Sequence, residues 1–455
     1  MKKTRQVDMV QGPLLPKLIL FSVPVVLSGV LQLLFNAADV IVVGRFTGKE
    51  ALAAVGSTSS LINLLINLFL GISVGANVLV GQYIGAKDRE NCQKTVHTGI
   101  MFAFFGGLFV GIFGFLAAGT LLTMMATPAN VLPLSTTYMQ IYFIGLPALL
   151  VYDFGAALLR AVGDTRRPLY FLVISGIINV VLNLYFVIVW KMGVAGVALA
   201  TIISEGVSAV LILLCLSRQE GMIRLSRKYL HFSLDKGIRM VKLGVPAGVQ
   251  GMLFSISNVL IQSSVNGFGA TVMAGNTASL NIENFVYISM NGIYQTALSF
   301  TSQNMGAGQY KRIDKILLEC LGIVSLIGLV LGVGAYVFGN SLLHIYSTDP
   351  QVIEIGLLRL SIICTPYFLC GIMDVLVGCL RGMGYSLMPM IVSLIGVCLF
   401  RVIWIFTIFQ IHRELFVLYI SYPISWIMTI VVDICCYRIV RKRISEKRVM
   451  EHAAV

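Results

Sequence analysis

The chain has 455 residues, of which 57% are hydrophobic and only 12% are charged. Soluble proteins carry roughly 25% charged residues, so the composition excludes an ordinary soluble protein and indicates a surface that mostly faces lipid. The formal net charge of +13 would otherwise favour nucleic-acid binding. Because the basic residues cluster between apolar runs, they indicate membrane topology instead, and we expect no nucleic-acid partner.

Apolar runs long enough to cross a membrane follow one another along the whole chain. A spanning helix needs about 20 largely apolar residues, and Gly, Pro and charged residues mark the breaks. We therefore predict an all-α integral membrane protein with twelve transmembrane helices. The predicted helices are 15–44, 51–84, 95–119, 134–158, 167–190, 193–217, 240–267, 272–305, 316–339, 351–380, 386–410 and 414–438.

The basic residues indicate which side of the membrane each loop occupies. If the helices alternate in direction, most of the 33 Lys and Arg residues lie on the same side as the two termini. Cytoplasmic loops are enriched in Lys and Arg, so we predict a multi-pass protein of the cell membrane with both termini cytoplasmic. The basic tail after Tyr437 anchors this topology, or contacts anionic lipid headgroups or a partner.

The two halves of the chain repeat one another. Residues of one type recur at a shift of 221 positions, as in Gly71 and Gly292, Asp153 and Asp374, and Arg160 and Arg381. Six helices per half would make both copies enter the membrane from the same side. We therefore predict two six-helix lobes related by a pseudo-two-fold axis along the membrane normal. We place them at residues 1–228 and 229–455, with the boundary near Tyr229.

Motifs of common enzymes and metal sites are missing from the sequence. No G-x-x-x-x-G-K-[ST] phosphate loop occurs, and the five histidines have no H-E-x-x-H spacing. The nine cysteines lie mostly in apolar runs without CxxC spacing. We expect a protein that is not an enzyme and that needs no cofactor.

Charged residues that interrupt the apolar helices are the candidate functional residues, because each costs about 2.5–3.5 kcal/mol at the centre of a span. They are Asp39, Asp153, Glu205, Glu283, Asp374, Asp433 and Arg401. Six acids against one base favour a cationic cargo. An ion pair of Arg401 with Asp374 or with Glu283 is the structural interpretation. An acid that exchanges its partner for a proton, a sodium ion or a cationic substrate is the functional one.

Three pairs of polar residues in the first half have the spacing that places both members on one helix face. The pairs are Asn36 and Asp39, Asn179 and Asn183, and Thr201 and Glu205. Oxygen donors of this kind suit a hard cation such as sodium. For the asparagines, hydrogen bonding between helices is the structural alternative.

Motifs in both halves resemble those of a known transporter family. The first half contains N-A-A-D-V-I-V-V-G-R-F at 36–46, G-Q-Y-I-G-A-K at 81–87 and L-L-R-A-V-G-D-T-R-R-P at 158–168. The second half contains S-Q-N-M-G-A-G at 302–308 and C-L-R-G-M-G at 379–384. These motifs resemble the multidrug and toxic compound extrusion family, over essentially the whole chain. The resemblance implies a two-lobed exporter that is driven by H⁺ or Na⁺.

The same resemblance implies a cation-coupling site at Asp39, Asn179, Asn183 and Thr201. Asn183 departs from the Asp that is frequent in the family, which keeps a donor oxygen but removes a charge. The remaining candidates, for substrate binding or a second acidic site, are Asn36, Asp153, Glu205, Glu283, Asp374 and Arg401.

We therefore expect a functional monomer that exports small organic compounds, mainly cationic and amphiphilic, through alternating access, with membrane lipids as its surroundings. Two alternatives remain open. One is a lipid-linked saccharide flippase of the same superfamily, which would need a more basic cavity. The other is a channel or receptor, which would show no saturable ion-driven flux.

Overall fold

The computed structural model describes residues 6–125, 127–226 and 231–453, and these residues contain helices and connecting turns but no strand. All twelve predicted segments are helical, which confirms the predicted fold class. The predicted boundary near Tyr229 lies outside the described residues.

The twelve helices are longer at most ends than the sequence predicts. They are α1 Leu14–Phe46, α2 Lys49–Gly85, α3 Arg89–Met124, α4 Leu132–Ala161, α5 Arg166–Val189, α6 Gly193–Ser217, α7 Leu234–Asn266, α8 Ala270–Gly306, α9 Tyr310–Val337, α10 Pro350–Cys364 with Phe368–Gly382, α11 Leu387–Ile411 and α12 Leu415–Ala453. A short helix, Gly339–His344, lies between α9 and α10.

Of the described helices, ten are long and apolar enough to cross a membrane, and the two segments of α10 together make an eleventh. The twelfth, α8, has 37 residues but is more polar, since it contains Glu283 and several amides. α10 is bent by 42°, where the sequence predicted one continuous helix. The bend follows a π-helical turn at Leu360–Cys364, and such turns break the regular ladder of backbone hydrogen bonds.

The helix boundaries repeat as the sequence does. α2 and α8 begin at residues 49 and 270 and end at 85 and 306. Gly48 and Gly269 precede them with nearly the same backbone angles, φ of 91° and 96°. Only glycine adopts such values without strain. The repeat predicted from residue matches is therefore present in the backbone.

The chain folds into two compact units. The first contains Val23–Gly248 together with residues up to Asp8, and the second contains Met9–Ser22 and Val249–Val455. Both α1 and α7 are thus divided between the units. The sequence repeat and spatial compactness are different criteria, and the division at residues 1–228 and 229–455 stays a prediction.

Asp88 begins α3 as its N-cap in the loop after α2. Its carboxylate accepts hydrogen bonds from the Asn91 backbone N–H at 3.1 Å and from the Asn91 amide at 2.6 Å. These two hydrogen bonds hold the pKa of Asp88 below its ordinary value, and the side-chain bond contributes more than the backbone bond. This cap starts α3 directly after the tight turn at 86–88.

Within the first unit, α2 and α7 touch along their backbones. A Cβ atom on Gly71 would lie 2.1 Å from the Gly248 nitrogen, and one on Gly75 would lie 2.3 Å from the Met240 carbonyl oxygen. Small residues allow this approach in membranes, where packing rather than water exclusion holds helices together.

We expect Gly71→Ala to destabilise the protein by about 1–3 kcal/mol, because the added methyl group forces α2 and α7 apart. Thermal unfolding of the detergent-solubilised protein measures the effect. Gly56→Ala is the matched control, since Gly56 lies on the same helix and a Cβ there would meet nothing within 4 Å. Equal melting temperatures for the two variants would contradict the packing argument.

Candidate functional site

The four residues predicted to bind the coupling cation lie together in the first unit. The Asn183 amide donates hydrogen bonds to the Asp39 carboxylate and, at 3.1 Å, to the Asn179 oxygen. The Asn179 amide in turn donates to the Thr201 hydroxyl at 3.4 Å. Asp39 on α1, the two asparagines on α5 and Thr201 on α6 thus form one polar chain, which we call the amide chain.

Burial makes the amide chain a suitable place for a small cation. Asn179 and Asn183 are 6% and 1% exposed, and the Asn183 oxygen has no hydrogen-bond partner among the described residues. A buried acceptor without a donor is costly, and a cation would satisfy it. The oxygens of a carboxylate, an amide and a hydroxyl fit a hard monovalent cation such as sodium.

Two further predicted acids belong to the same region of the first unit. Glu205, one turn after Thr201 on α6, interacts electrostatically with Asp153 and Asp39. Its Oε2 atom is buried without a hydrogen-bond partner in the described structure. Tyr142 interacts with all three acids. The first unit therefore gathers three acids around tyrosine side chains, and Arg160 interacts with one of them, Asp153.

Asn36 does not join this cluster, although it shares a helix with Asp39. Its side chain is exposed, and the hydrogen bonds of the amide chain run from Asp39 to α5 instead. The i, i+3 spacing places the two residues on one face of α1, but only Asp39 is hydrogen-bonded to α5.

In the second unit Glu283 pairs with Arg359, which corrects the expected pair with Arg401. The Arg359 guanidinium lies 2.7 Å from Glu283 Oε2 and donates to the Asn276 oxygen at 2.9 Å. The Tyr419 hydroxyl donates to the same Asn276 oxygen at 3.2 Å. Arg359 and Glu283 are 1% and 6% exposed, so this is a buried ion pair.

Arg401 faces α12 rather than an acid. It donates to the Ser425 hydroxyl at 3.0 Å. Its guanidinium carbon lies 3.9 Å from the centre of the Tyr422 ring and 5.8 Å from that of Trp426. Cation–π contacts of this kind stabilise a desolvated arginine by about 2 kcal/mol, which explains how Arg401 can be buried although it forms no salt bridge with any described residue.

Asp374 has no pair with Arg401 either. Within the described residues its Oδ2 atom is buried without a hydrogen-bond partner, and the cation it interacts with is Arg381. Arg381 is itself buried and donates to the Tyr294 hydroxyl and the Gln250 oxygen, both at 2.6 Å. The helix predicted at 351–380 ended just before Arg381, but in the structure Arg381 lies within the second segment of α10 and is buried.

Sequence reasoning therefore undercounted the buried bases. Arg359, Arg381 and Arg401 are all nearly fully buried, so the ratio of six acids to one base is wrong. The signal for Arg359 was present, because it interrupts an apolar run, but it lies near a predicted helix end. Asp433 was recognised as a charge inside a helix, yet its complete burial depends on packing.

We expect Arg359→Met to destabilise the second unit by about 3–5 kcal/mol, because it leaves the buried Glu283 carboxylate without its partner. Unfolding of the detergent-solubilised protein measures the loss. The double variant Arg359→Met/Glu283→Leu should recover most of it, since no charge is then left unpaired.

The exposed pair of Lys94 and Glu90, joined at 2.6 Å, provides the control. Lys94→Met should leave the melting temperature unchanged, because exposed ion pairs contribute little. A double variant of Arg359 and Glu283 that is less stable than Arg359→Met alone would contradict the charge argument.

Comparison with known proteins gives consistent relatives over nearly the whole chain. The chain is 28% identical over 432 residues to the probable multidrug resistance protein YoeA of Bacillus subtilis, covering 93% of both chains. It is 30% identical over 400 residues to the probable multidrug resistance protein YpnP of the same organism, covering 87% of this chain and 88% of YpnP.

Among solved structures, the crystal structure of MATE in complex with MaL6 is similar with a TM-score of 0.91 at 20% identity, covering 98% of this chain and all of that one. That likeness shows the fold. The MatE family model matches residues 24–185 and 246–407, two stretches that start 222 residues apart, within one residue of the shift at which the sequence repeats. The chain therefore belongs to the MatE family of multi-span membrane transporters, the family that its motifs resemble.

Proposed function

We propose that this protein is a secondary active efflux transporter that exports small organic compounds in exchange for protons or sodium ions. The observation that carries the proposal is the amide chain, in which Asp39 accepts a hydrogen bond from the buried Asn183 amide, which also donates to Asn179 on the same helix. Ionisable groups inside a membrane are costly and mark ion pathways. The probable multidrug resistance proteins YoeA and YpnP, to which the chain is similar, support export as the direction.

The amide chain supplies both kinds of chemistry that ion coupling needs. Asp39 provides the negative charge that a proton or sodium ion neutralises. The unpartnered Asn183 oxygen, the Asn179 oxygen and the Thr201 hydroxyl provide neutral donors for a sodium ion. When no ion is bound, the Asn183 amide stabilises the ionised carboxylate by hydrogen bonding.

Coupling follows if the ion and the substrate prefer different conformations. Alternating access exposes the site to one side of the membrane at a time, and each ligand shifts that equilibrium only by its differential affinity. An ion entering down its gradient thereby drives the organic compound outward. We propose that the protein works as a monomer in the cell membrane, with both termini cytoplasmic and no cofactor.

The first unit favours a cationic substrate. Glu205 interacts there with both Asp153 and Asp39, and Arg160 offsets the charge of Asp153. Tyr138 and Tyr142 stack beside these acids, with ring centres 6.3 Å apart. Aromatic faces and carboxylates together recognise organic cations through cation–π and charge interactions.

An anionic substrate, as a lipid-linked saccharide flippase would carry, is the second candidate. The observation that favours it is the burial of Arg401 in the second unit with aromatic partners and no salt bridge among the described residues. A relative that is 25% identical, from Shewanella oneidensis, is a FAD transporter. Counterflow with a labelled organic cation and a labelled organic anion distinguishes the two candidates and also separates a carrier from a channel.

We expect Asp39→Asn to reduce ion-driven efflux of an organic cation from proteoliposomes to the level of protein-free vesicles, because the coupling charge is lost. Glu354→Gln is the matched control, since Glu354 is exposed on α10 and its charge should not matter. Wild-type transport by a correctly folded Asp39→Asn protein would overturn the proposed coupling site.

A proton gradient and a sodium gradient, imposed separately on the same vesicles, identify the coupling ion. Asn183→Asp should lower the ion concentration for half-maximal efflux about tenfold, equivalent to roughly 1.4 kcal/mol, because a second carboxylate beside Asp39 attracts the cation. Asn340→Asp, on the exposed short helix, should leave that concentration unchanged. An unchanged or higher concentration for Asn183→Asp would contradict the predicted contact of the ion with position 183.

A further inference from the structure

The second unit contains a carboxyl group that the proposed function does not use. Asp433, inside α12, is 0% exposed, and both of its carboxylate oxygens are buried without a hydrogen-bond partner among the described residues. An ionised carboxylate in such surroundings costs several kcal/mol. A carboxylate at this position therefore needs a bound partner of opposite charge.

Asp374 on α10 is the acid that interacts with Asp433. One oxygen of Asp374 is also buried without a hydrogen-bond partner in the described structure. Arg381, two turns further along α10, interacts with both acids, although it forms no ion pair within 4 Å with either among the described residues. We call these three residues the α10–α12 cluster.

Charge balance shows what the cluster lacks. Two carboxylates and one guanidinium leave one negative charge uncompensated, whereas Glu283 and Arg359 in the same unit balance each other. Arg381 is also held by neutral groups, Tyr294 on α8 and Gln250 on α7. The cluster therefore requires one additional positive charge.

The surroundings favour a proton over a metal ion. One helical turn before each acid lies a weakly polar side chain, the Thr429 hydroxyl before Asp433 and the Cys370 thiol before Asp374. The Thr429 hydroxyl already donates to the Ser425 carbonyl. No group of three or more His, Cys, Asp or Glu side chains able to hold a metal occurs in the described part of the chain. A sodium ion prefers several oxygen ligands and would be repelled by Arg381, while a proton needs a single carboxylate oxygen.

The other titratable groups nearby are already engaged or uncharged. Tyr287 on α8 interacts with Asp374, and Tyr437, one turn after Asp433, donates to Asp314 on α9. Arg401 on α11 contacts α12 at Tyr422 and Trp426, about three and two turns before Asp433. None of these groups supplies the missing charge.

We propose that Asp374 and Asp433 form a proton-binding site of the second unit, in which the two carboxyl groups share one proton beside Arg381. The site is separate from the amide chain and exists only in this half, because the repeat places Ile212 at the position of Asp433. Two neighbouring carboxyl groups then titrate as a pair rather than singly.

Infrared spectroscopy of the full-length purified protein tests the proposal, since protonated and ionised carboxyl groups absorb separately. At neutral pH, Asp433→Asn and Asp374→Asn should each remove the whole signal of one protonated carboxyl group. Either change leaves one acid facing Arg381, and that acid ionises. The double variant should lose no more than either single variant. Arg381→Gln should instead add a second protonated carboxyl group.

Asp39→Asn serves as the control, because Asp39 belongs to the separate amide chain. Any change that Asp39→Asn makes to the infrared signal should therefore add to the change made by Asp433→Asn. The measurement needs no transport, so it can fail or succeed independently of the proposed function. An Asp433→Asn protein that folds and keeps the full signal would overturn the shared proton, and so would additive losses in the double variant. Replacement of the signal by sodium at constant pH would show a metal site instead. If one single variant does not fold, the other must still show the loss.

Discussion

The cost of an uncompensated charge inside lipid-embedded helices governs the interior of this protein. Each charged group needs a partner, because the surroundings offer neither water nor mobile ions. Arg359 finds Glu283 at 2.7 Å, and Arg401 finds the Tyr422 ring. Asp39 accepts a hydrogen bond from an amide but forms no ion pair among the described residues. Structural charges are thus those with a permanent partner, and the incompletely partnered acids are the candidates for transport.

The two halves share a backbone but differ in these partners. Asp153 and Arg160 recur as Asp374 and Arg381, so an acid and an arginine two turns apart belong to the common scaffold. Asp39 and Asp433 do not recur. The equivalent of Asp39 is Ile261, at the shift of 222 that separates the starts of the two matched stretches, and the equivalent of Asp433 is Ile212, at the shift of 221. Each half therefore contains acids that the other half lacks, among them Asp39 on α1 in the first half and Asp433 on α12 in the second. Asp39 belongs to the amide chain, and Asp433 belongs to the α10–α12 cluster.

Departures from regular helix lie close to these polar groups. The last turn of α5, Tyr185–Val189, is π-helical and begins two residues after Asn183. The π-helical turn of α10 begins directly after Arg359. Such turns change the direction of the following side chains and weaken the backbone locally. Two of the helices that hold these polar groups, α5 and α10, thus deviate from a regular α-helix next to them.

The sequence by itself determined the membrane class, the twelve helices and the internal repeat, because hydropathy and spacing act along the chain and need no knowledge of contacts. It also identified Asp39, Asn179, Asn183 and Thr201 through spacing and family motifs. Only the tertiary structure decided which charges meet. Glu283 pairs with Arg359 because α8 packs against the first segment of α10, whereas Arg401 faces α12. Periodicity shows on which face of a helix a residue lies, but the neighbouring helix at that face is a property of the fold.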